Sequence, residues 1–305
     1  MTEHSAAVPT SRVGGSGGAL SPADLAAKYG LTVSGRRPSL PEYTRRLWSR
    51  RHFVLAFASA RLAAMFAGAR LGQLWQVMTP LLNAAVYYLI FGLLLGTNRG
   101  IPNFVAYLCT GVFVFAFTQT AVLAGTRAIT DNLGLIRALH FPRACLPIAF
   151  TVMQLQQLLV SMGVLAVIVL ATGEPLTLRW LLVAPILLLQ TLFNGGLALA
   201  LARIGSRTTD LSQLMPFVIR TWMYGSGVFW SVGSLAGGKP GWVTTLLNLN
   251  PALLFNTLMR YALMASVPAG DVPRHSWLVV VAWALLASVG GYVFFWKAEE
   301  AYGRG

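Results

Sequence analysis

Long apolar runs, each about the length that crosses a bilayer, alternate along this chain with short segments where polar and basic positions collect. A helix needs about 20 apolar residues to span the hydrocarbon core. Five runs reach that length without an internal charge: 74–96, 104–125, 144–172, 180–202 and 276–296. A sixth, 214–235, carries Arg220 and is interrupted by Pro216, Gly225 and Gly227. It is counted as a span because an arginine near one end can snorkel to the surface. The pattern predicts an all-α membrane protein of about six transmembrane helices.

Two segments break the rhythm. Residues 41–73 read as a helix with Trp48, Leu55, Leu62 and Phe66 in one stripe and Arg46, Arg50 and Arg61 roughly opposite, although Phe53 and Phe57 fall on the arginine side. Such a helix lies in a membrane interface, and Arg46, Arg50, Arg61 and Arg70 are candidate contacts for lipid headgroups. Between spans five and six, 233–275 is long yet mostly apolar. Its runs 242–249 and 252–264, separated by Asn250-Pro251, are too short to cross and predict two short re-entrant outer helices. The organisation expected is a disordered cytoplasmic tail with a short helix at 1–35, an interfacial helix at 36–73 and a transmembrane domain at 74–305.

Composition agrees. The chain is 56% hydrophobic and 10% charged, where a soluble domain carries about a quarter charged residues. The net charge of +14 is read as topology and anionic-lipid contact rather than nucleic-acid binding, because the arginines sit between apolar spans. Ten Lys or Arg precede the first span; Arg127, Arg137 and Arg143 follow the second, and Arg203 and Arg207 the fourth. The loops after spans one and three hold Arg99 and Arg179. Both termini are therefore expected in the cytoplasm of a multi-pass plasma-membrane protein.

The nine acids, Glu3, Asp24, Glu42, Asp131, Glu174, Asp210, Asp271, Glu299 and Glu300, all fall outside the predicted spans. Ion-coupled carriers place ionisable groups inside the membrane, so coupling to protons or sodium is not expected. The two cysteines and four scattered histidines form no metal-ligand spacing. No HExxH or GxSxG occurs, and Gly237-Gly238-Lys239 is followed by Pro240, which fails the phosphate-loop pattern. A membrane domain of this kind is passive or driven by a partner.

Particular motifs add a family. Leu71-Gly72-Gln73-Leu74-Trp75-Gln76, Thr79-Pro80-Leu81-Leu82 and Tyr87-Tyr88-Leu89-Ile90-Phe91-Gly92 resemble the first span of ABC-2 type permeases, in the branch that exports teichoic acid, O-antigen and other polysaccharides. Further matches are Asn132-Leu133-Gly134-Leu135-Ile136 with Phe141-Pro142-Arg143, Asp210-Leu211 with Pro216, Trp222, Tyr224 and Ser226, and Asn250-Pro251. The resemblance implies a homodimer enclosing a channel, driven by a separate cytoplasmic ATP-binding-cassette subunit that binds ATP and magnesium. This chain itself would hold no cofactor and catalyse nothing. It implies an ATPase-coupling element at Asp131, Asn132, Leu133, Leu135, Ile136, Arg137, Phe141, Pro142 and Arg143, whose apolar contact face is Leu133 and Ile136. The cargo expected is a lipid-linked polysaccharide or teichoic-acid-like polymer. Tyr87, Tyr88, Phe91, Phe115, Phe117, Trp222, Tyr224, Phe229 and Trp230 are candidate channel-lining aromatics. Export of a drug or small lipid by the same fold is the alternative; a membrane glycosyl- or acyltransferase and a non-transporting scaffold are the rivals from other classes.

Overall fold

A computed structural model describes residues 38–68, 70–94, 96, 101–139, 141–230 and 241–302. The tail at 1–35 with its short helix, Arg99 and the Gly237-Gly238-Lys239 turn lie outside the described residues. Among the described residues every regular element is helical. In chain order these are α1 (Leu40–Ser49), α2 (Arg51–Phe66), α3 (Trp75–Tyr87, continued by a π-helical stretch Tyr88–Leu94), α4 (Phe104–Arg127), α5 (Leu133–Ala138), α6 (Cys145–Ala171), α7 (Val183–Gly205, entered through the 3-10 turn Leu178–Leu182), α8 (Asp210–Tyr224), α9 (Gly241–Leu249), α10 (Pro251–Leu263) and α11 (Ser276–Trp296).

Five helices among the described residues are long and apolar enough to cross a membrane: Trp75–Leu94, Phe104–Arg127, Cys145–Ala171, Leu178–Gly205 and Ser276–Trp296. They match the five uncharged runs, and no Asp or Glu lies inside them. The second of these is the most enclosed and the first the least. Helix α4 is apolar around its whole circumference, as befits a helix surrounded by neighbours. Its contacts with α7 and those of α7 with α11 include close approaches of backbone. A Cβ on Gly125 would strike Ala198 of α7, one on Gly196 would strike the backbone at Ala287 of α11, and one on Gly291 would strike the Gly196 carbonyl. Small residues let membrane helices approach this closely, where dispersion replaces the hydrophobic effect as the attraction.

The sixth run is not one helix. Helix α8 stops at Tyr224, Gly227 adopts a positive φ of 63°, and residues 225–230 follow an irregular path. The interfacial segment also differs from a single amphipathic helix. It bends at Arg50, which leaves helical geometry (φ −94°, ψ 11°), and ends in a 3-10 turn at Gly72–Leu74. Val54 and Ala58 face inward, with Phe53 and Phe57 partly buried beside them. Trp48 and Leu55 of the expected stripe are 70% and 49% exposed. The phenylalanines on the arginine side are thus the protein-packing face, and the helix has two apolar faces.

Candidate functional site

At the arginine-rich end, three distant segments meet on one carboxylate. Glu299 follows the last span and is 8% exposed. Its Oε2 accepts from the Tyr43 hydroxyl of α1 at 2.8 Å, and its Oε1 from the Arg143 backbone N–H at 3.0 Å. The Arg143 guanidinium donates to the Glu299 carbonyl, and the Tyr43 hydroxyl accepts from the Ala144 N–H at 3.2 Å. Burial pushes the Glu299 carboxyl above its ordinary value, against the pull of the Arg143 N–H and Tyr43 bonds. A second tie joins α2 to the turn before α5: Arg61 Nη2 donates to Asn132 Oδ1 at 2.9 Å, while Asn132 Nδ2 donates to the Ala128 carbonyl at 2.9 Å.

These ties relocate several residues expected at this end. Arg61 also stacks over Phe57 and Phe150, so it binds protein, whereas Arg46 is an exposed partner of Glu42 at 2.5 Å and Arg50 and Arg70 are exposed. Leu133, Leu135 and Ile136 pack inward with Ile129, Ala144 and Leu146; the surface of this segment is made by Asp131, Gly134, Arg137 and Leu139. Phe141 packs on Phe53 with ring centroids 5.2 Å apart, and Pro142 accepts from the Cys145 N–H at 2.9 Å to start α6. Of the expected apolar contact face, Ile136 is buried and Leu133 half-buried, and both pack against their own subunit.

At the other end, the broken backbone after α8 is received by α10. Four consecutive carbonyls each find a side-chain donor: Gly225 from Asn250 Nδ2 at 2.8 Å, Ser226 from Asn256 Nδ2 at 3.0 Å, Gly227 from Arg260 Nη1 at 2.7 Å and Val228 from Arg260 Nη2 at 3.0 Å. Arg260 Nε donates to the Tyr107 carbonyl at 3.0 Å, and its guanidinium lies 3.3 Å from the Tyr107 ring centroid. Backbone groups that leave a helix and are buried in protein need other partners, and Asn250, Asn256 and Arg260 supply them here. Asn250 works twice, because its Oδ1 caps α10 at Ala252 N–H (3.2 Å) and accepts from Trp222 Nε1 (3.0 Å); Pro251 at the first helical position donates no N–H and needs none. Sequence reading missed Arg260. Its signal was a lone cation inside the apolar run 252–264.

The aromatic candidates divide. Tyr87, Phe91, Tyr224 and Phe229 form one cluster, with Phe91 stacked on Phe229 at 4.2 Å and Tyr87 edge-on to it at 5.0 Å. Tyr224 is half exposed, while Phe229 is buried beneath it. Tyr88 packs on Phe104, and the Trp230 indole donates to the Tyr224 carbonyl at 2.8 Å. Phe115 and Phe117 are each 2% exposed and belong to the subunit core, Phe115 edge-on to Trp222.

The geometry is that of a membrane bundle with braced ends, and known proteins are similar to it in sequence. The ABC-2 type transporter family model matches residues 53–264. An O-antigen export system permease protein RfbA of Myxococcus xanthus is 27% identical over 213 residues, covering 70% of this chain and 80% of the relative. One of the same name from Klebsiella pneumoniae is 25% identical over 193 residues, covering 63% and 73%. A bundle of apolar helices and a match spanning most of it place the chain in the ABC-2 type transporter family of membrane permeases.

Proposed function

We propose that this chain is the permease subunit of an exporter that carries a lipid-linked polysaccharide out of the cytoplasm. In this reading two copies enclose the path, and a cytoplasmic ATPase supplies the energy. The observation that carries it is the similarity to O-antigen export permeases across more than two thirds of the chain. Physical features support the rest. The arginine-rich end is assigned to the cytoplasm by its positive charge. Helix α8 with the irregular 225–230 segment serves as the sixth span, and α9 and α10 as outer re-entrant helices.

Arg220 supports a path along α8. It is exposed on the subunit surface, one turn from Tyr224, and about 15 Å from the start of the helix at a rise of 1.5 Å per residue. A cation at that depth faces water or protein rather than lipid, so the α8 face belongs against a second copy and an aqueous path. The exposed surface Asp131, Gly134, Arg137 and Leu139 is where the ATPase would press, and the Asn132–Arg61 and Arg143–Glu299–Tyr43 ties would pass the displacement to α2 and α11. The test is a deletion strain complemented with the gene: surface polysaccharide lost on deletion and restored with the intact chain supports export, and undiminished surface polysaccharide refutes it.

A further inference from the structure

Between α3, α4 and α6 lies an open-sided cleft of about 260 Å3. Its polar wall holds four side-chain amides, Asn83 of α3, Gln119 of α4, and Gln154 and Gln157 of α6; no charged residue lines it. Gln154 is nine residues into α6, about 14 Å along the helix and so at hydrocarbon depth. It is 6% exposed, and none of the four amides has a hydrogen-bond partner among the described residues. The neighbouring hydroxyls are occupied: Thr79 donates to the Trp75 carbonyl, Thr120 to Ala116 and Ser161 to Gln157, at 2.9, 2.8 and 3.2 Å. Gln156, which faces elsewhere, is tied to Ser59 at 3.0 Å.

Gln154 is buried, Gln119 and Gln157 are half-buried and Asn83 is exposed on the subunit. An amide left unpaired at hydrocarbon depth is costly, so four of them facing one cleft ask for a ligand. Each amide both donates and accepts, which matches hydroxyl groups. A phosphate would require cations that the cleft lacks, and an acyl chain would leave every amide unpaired. Phe113, Phe117 and Leu158 of the subunit core close the floor of the cleft. We propose that this cleft binds one neutral, hydroxyl-rich sugar unit of an amphiphilic glycan within the bilayer. The inference deepens the export reading, on which it rests for the nature of the cargo.

The test uses the full-length protein in lipid vesicles with Thr120→Cys, at the cleft wall, as a reporter, since Cys109 and Cys145 are buried. Labelling by a polar maleimide is followed with octyl glucoside below its micelle concentration, and with octyl phosphocholine as the same tail without sugar. The glucoside should slow labelling about threefold when its free concentration is about twice its Kd, and the phosphocholine should not. Adding Gln154→Met, or Asn83→Leu on the more exposed α3, should abolish protection, measured for each variant against its own labelling rate without amphiphile. Equal slowing by both amphiphiles, or slowing by neither, overturns the proposal. The outcomes are separable: polysaccharide retained in the deletion strain refutes export and leaves glucoside protection standing, whereas polysaccharide lost without protection overturns the sugar subsite alone.

Discussion

Replacing Arg260 with Met is predicted to release the broken segment after α8. The guanidinium makes three bonds to main-chain carbonyls, those of Tyr107, Gly227 and Val228. Charge-assisted bonds contribute about 1.5–3 kcal/mol each, roughly 5–9 in all. Against this stands the cost of burying a cation that has no carboxylate partner among the described residues, several kcal/mol. The net loss in the Met variant is about 2–4 kcal/mol, because the three carbonyls remain withdrawn from water with nothing to accept from. Arg260→Lys should be no milder. It keeps the buried charge, but a single ammonium cannot reproduce the planar fork or the stacking on Tyr107. The assay is thermal unfolding of the purified full-length protein, with maleimide labelling of a Ser226→Cys reporter, a position now 0% exposed. Both variants should lower Tm by roughly 5–10 °C and expose the reporter. A Lys variant that restores Tm and protection would show that charge matters rather than geometry, and an unaltered Met variant would show that the carbonyls are satisfied in some other way. Gly111→Ala should reproduce the defect in part, because its Cβ would strike the Arg260 guanidinium and lie 3.2 Å from the Val228 Cα.

Other perturbations separate structural roles. Glu299→Ala should destabilise the protein by about 1–3 kcal/mol for each donor left without its acceptor. Glu299→Gln keeps one acceptor oxygen but turns an NH2 toward the second donor, so its Tm should fall between those of Glu299→Ala and wild type; equal damage from both would refute the hub. At the opposite end Glu174 accepts from the Ser266 N–H (3.1 Å) and hydroxyl and from Asn103 (3.3 Å). Burial alone would push its carboxyl up, but the Ser266 and Asn103 bonds outweigh burial and hold it below its ordinary 4.5. Its stabilisation is therefore complete above pH 4.5 and lost as pH falls through the lowered folded-state value. The Tm gap between wild type and Glu174→Gln should close on acidification; a gap constant with pH sinks the assignment. Gly291→Ala should cost about 1–3 kcal/mol by overpacking against Gly196, seen as a lower Tm, whereas Gly290→Ala, with open space around it, should not.

The spans were legible because an uncharged apolar run of bilayer length has few other uses, and Asn250-Pro251 announced the start of α10. The break in the sixth run showed as Gly225 and Gly227, but its repair did not. The donors that receive those carbonyls lie 25 to 33 residues further on, and periodicity says nothing about which side chains fold back. Phe53 and Phe57 looked like flaws in an amphipathic wheel because a wheel assumes one apolar face; α2 has one against protein and another outside. Leu133 and Ile136 carried an apolar signal that the structure shows packed on their own subunit, since spacing does not distinguish a face for a partner from a face for the same subunit. The free amides of the cleft are scattered over 75 positions of sequence, from Asn83 to Gln157, and only the fold gathers them.

The backbone contacts joining α4, α7 and α11 bear on how such a molecule could work. Where glycine is seated against backbone there is no side chain to re-pack at the contact, and the Gln190 amide of α7 also holds Val114 and Thr118 of α4. Sliding one helix past another would therefore open gaps, break those bonds and forfeit dispersion at once. The trio behaves as a stator. Any working stroke then falls to the sparsely anchored first span and to the helix that ends at Tyr224, whose seat is made of hydrogen bonds that can be exchanged one at a time.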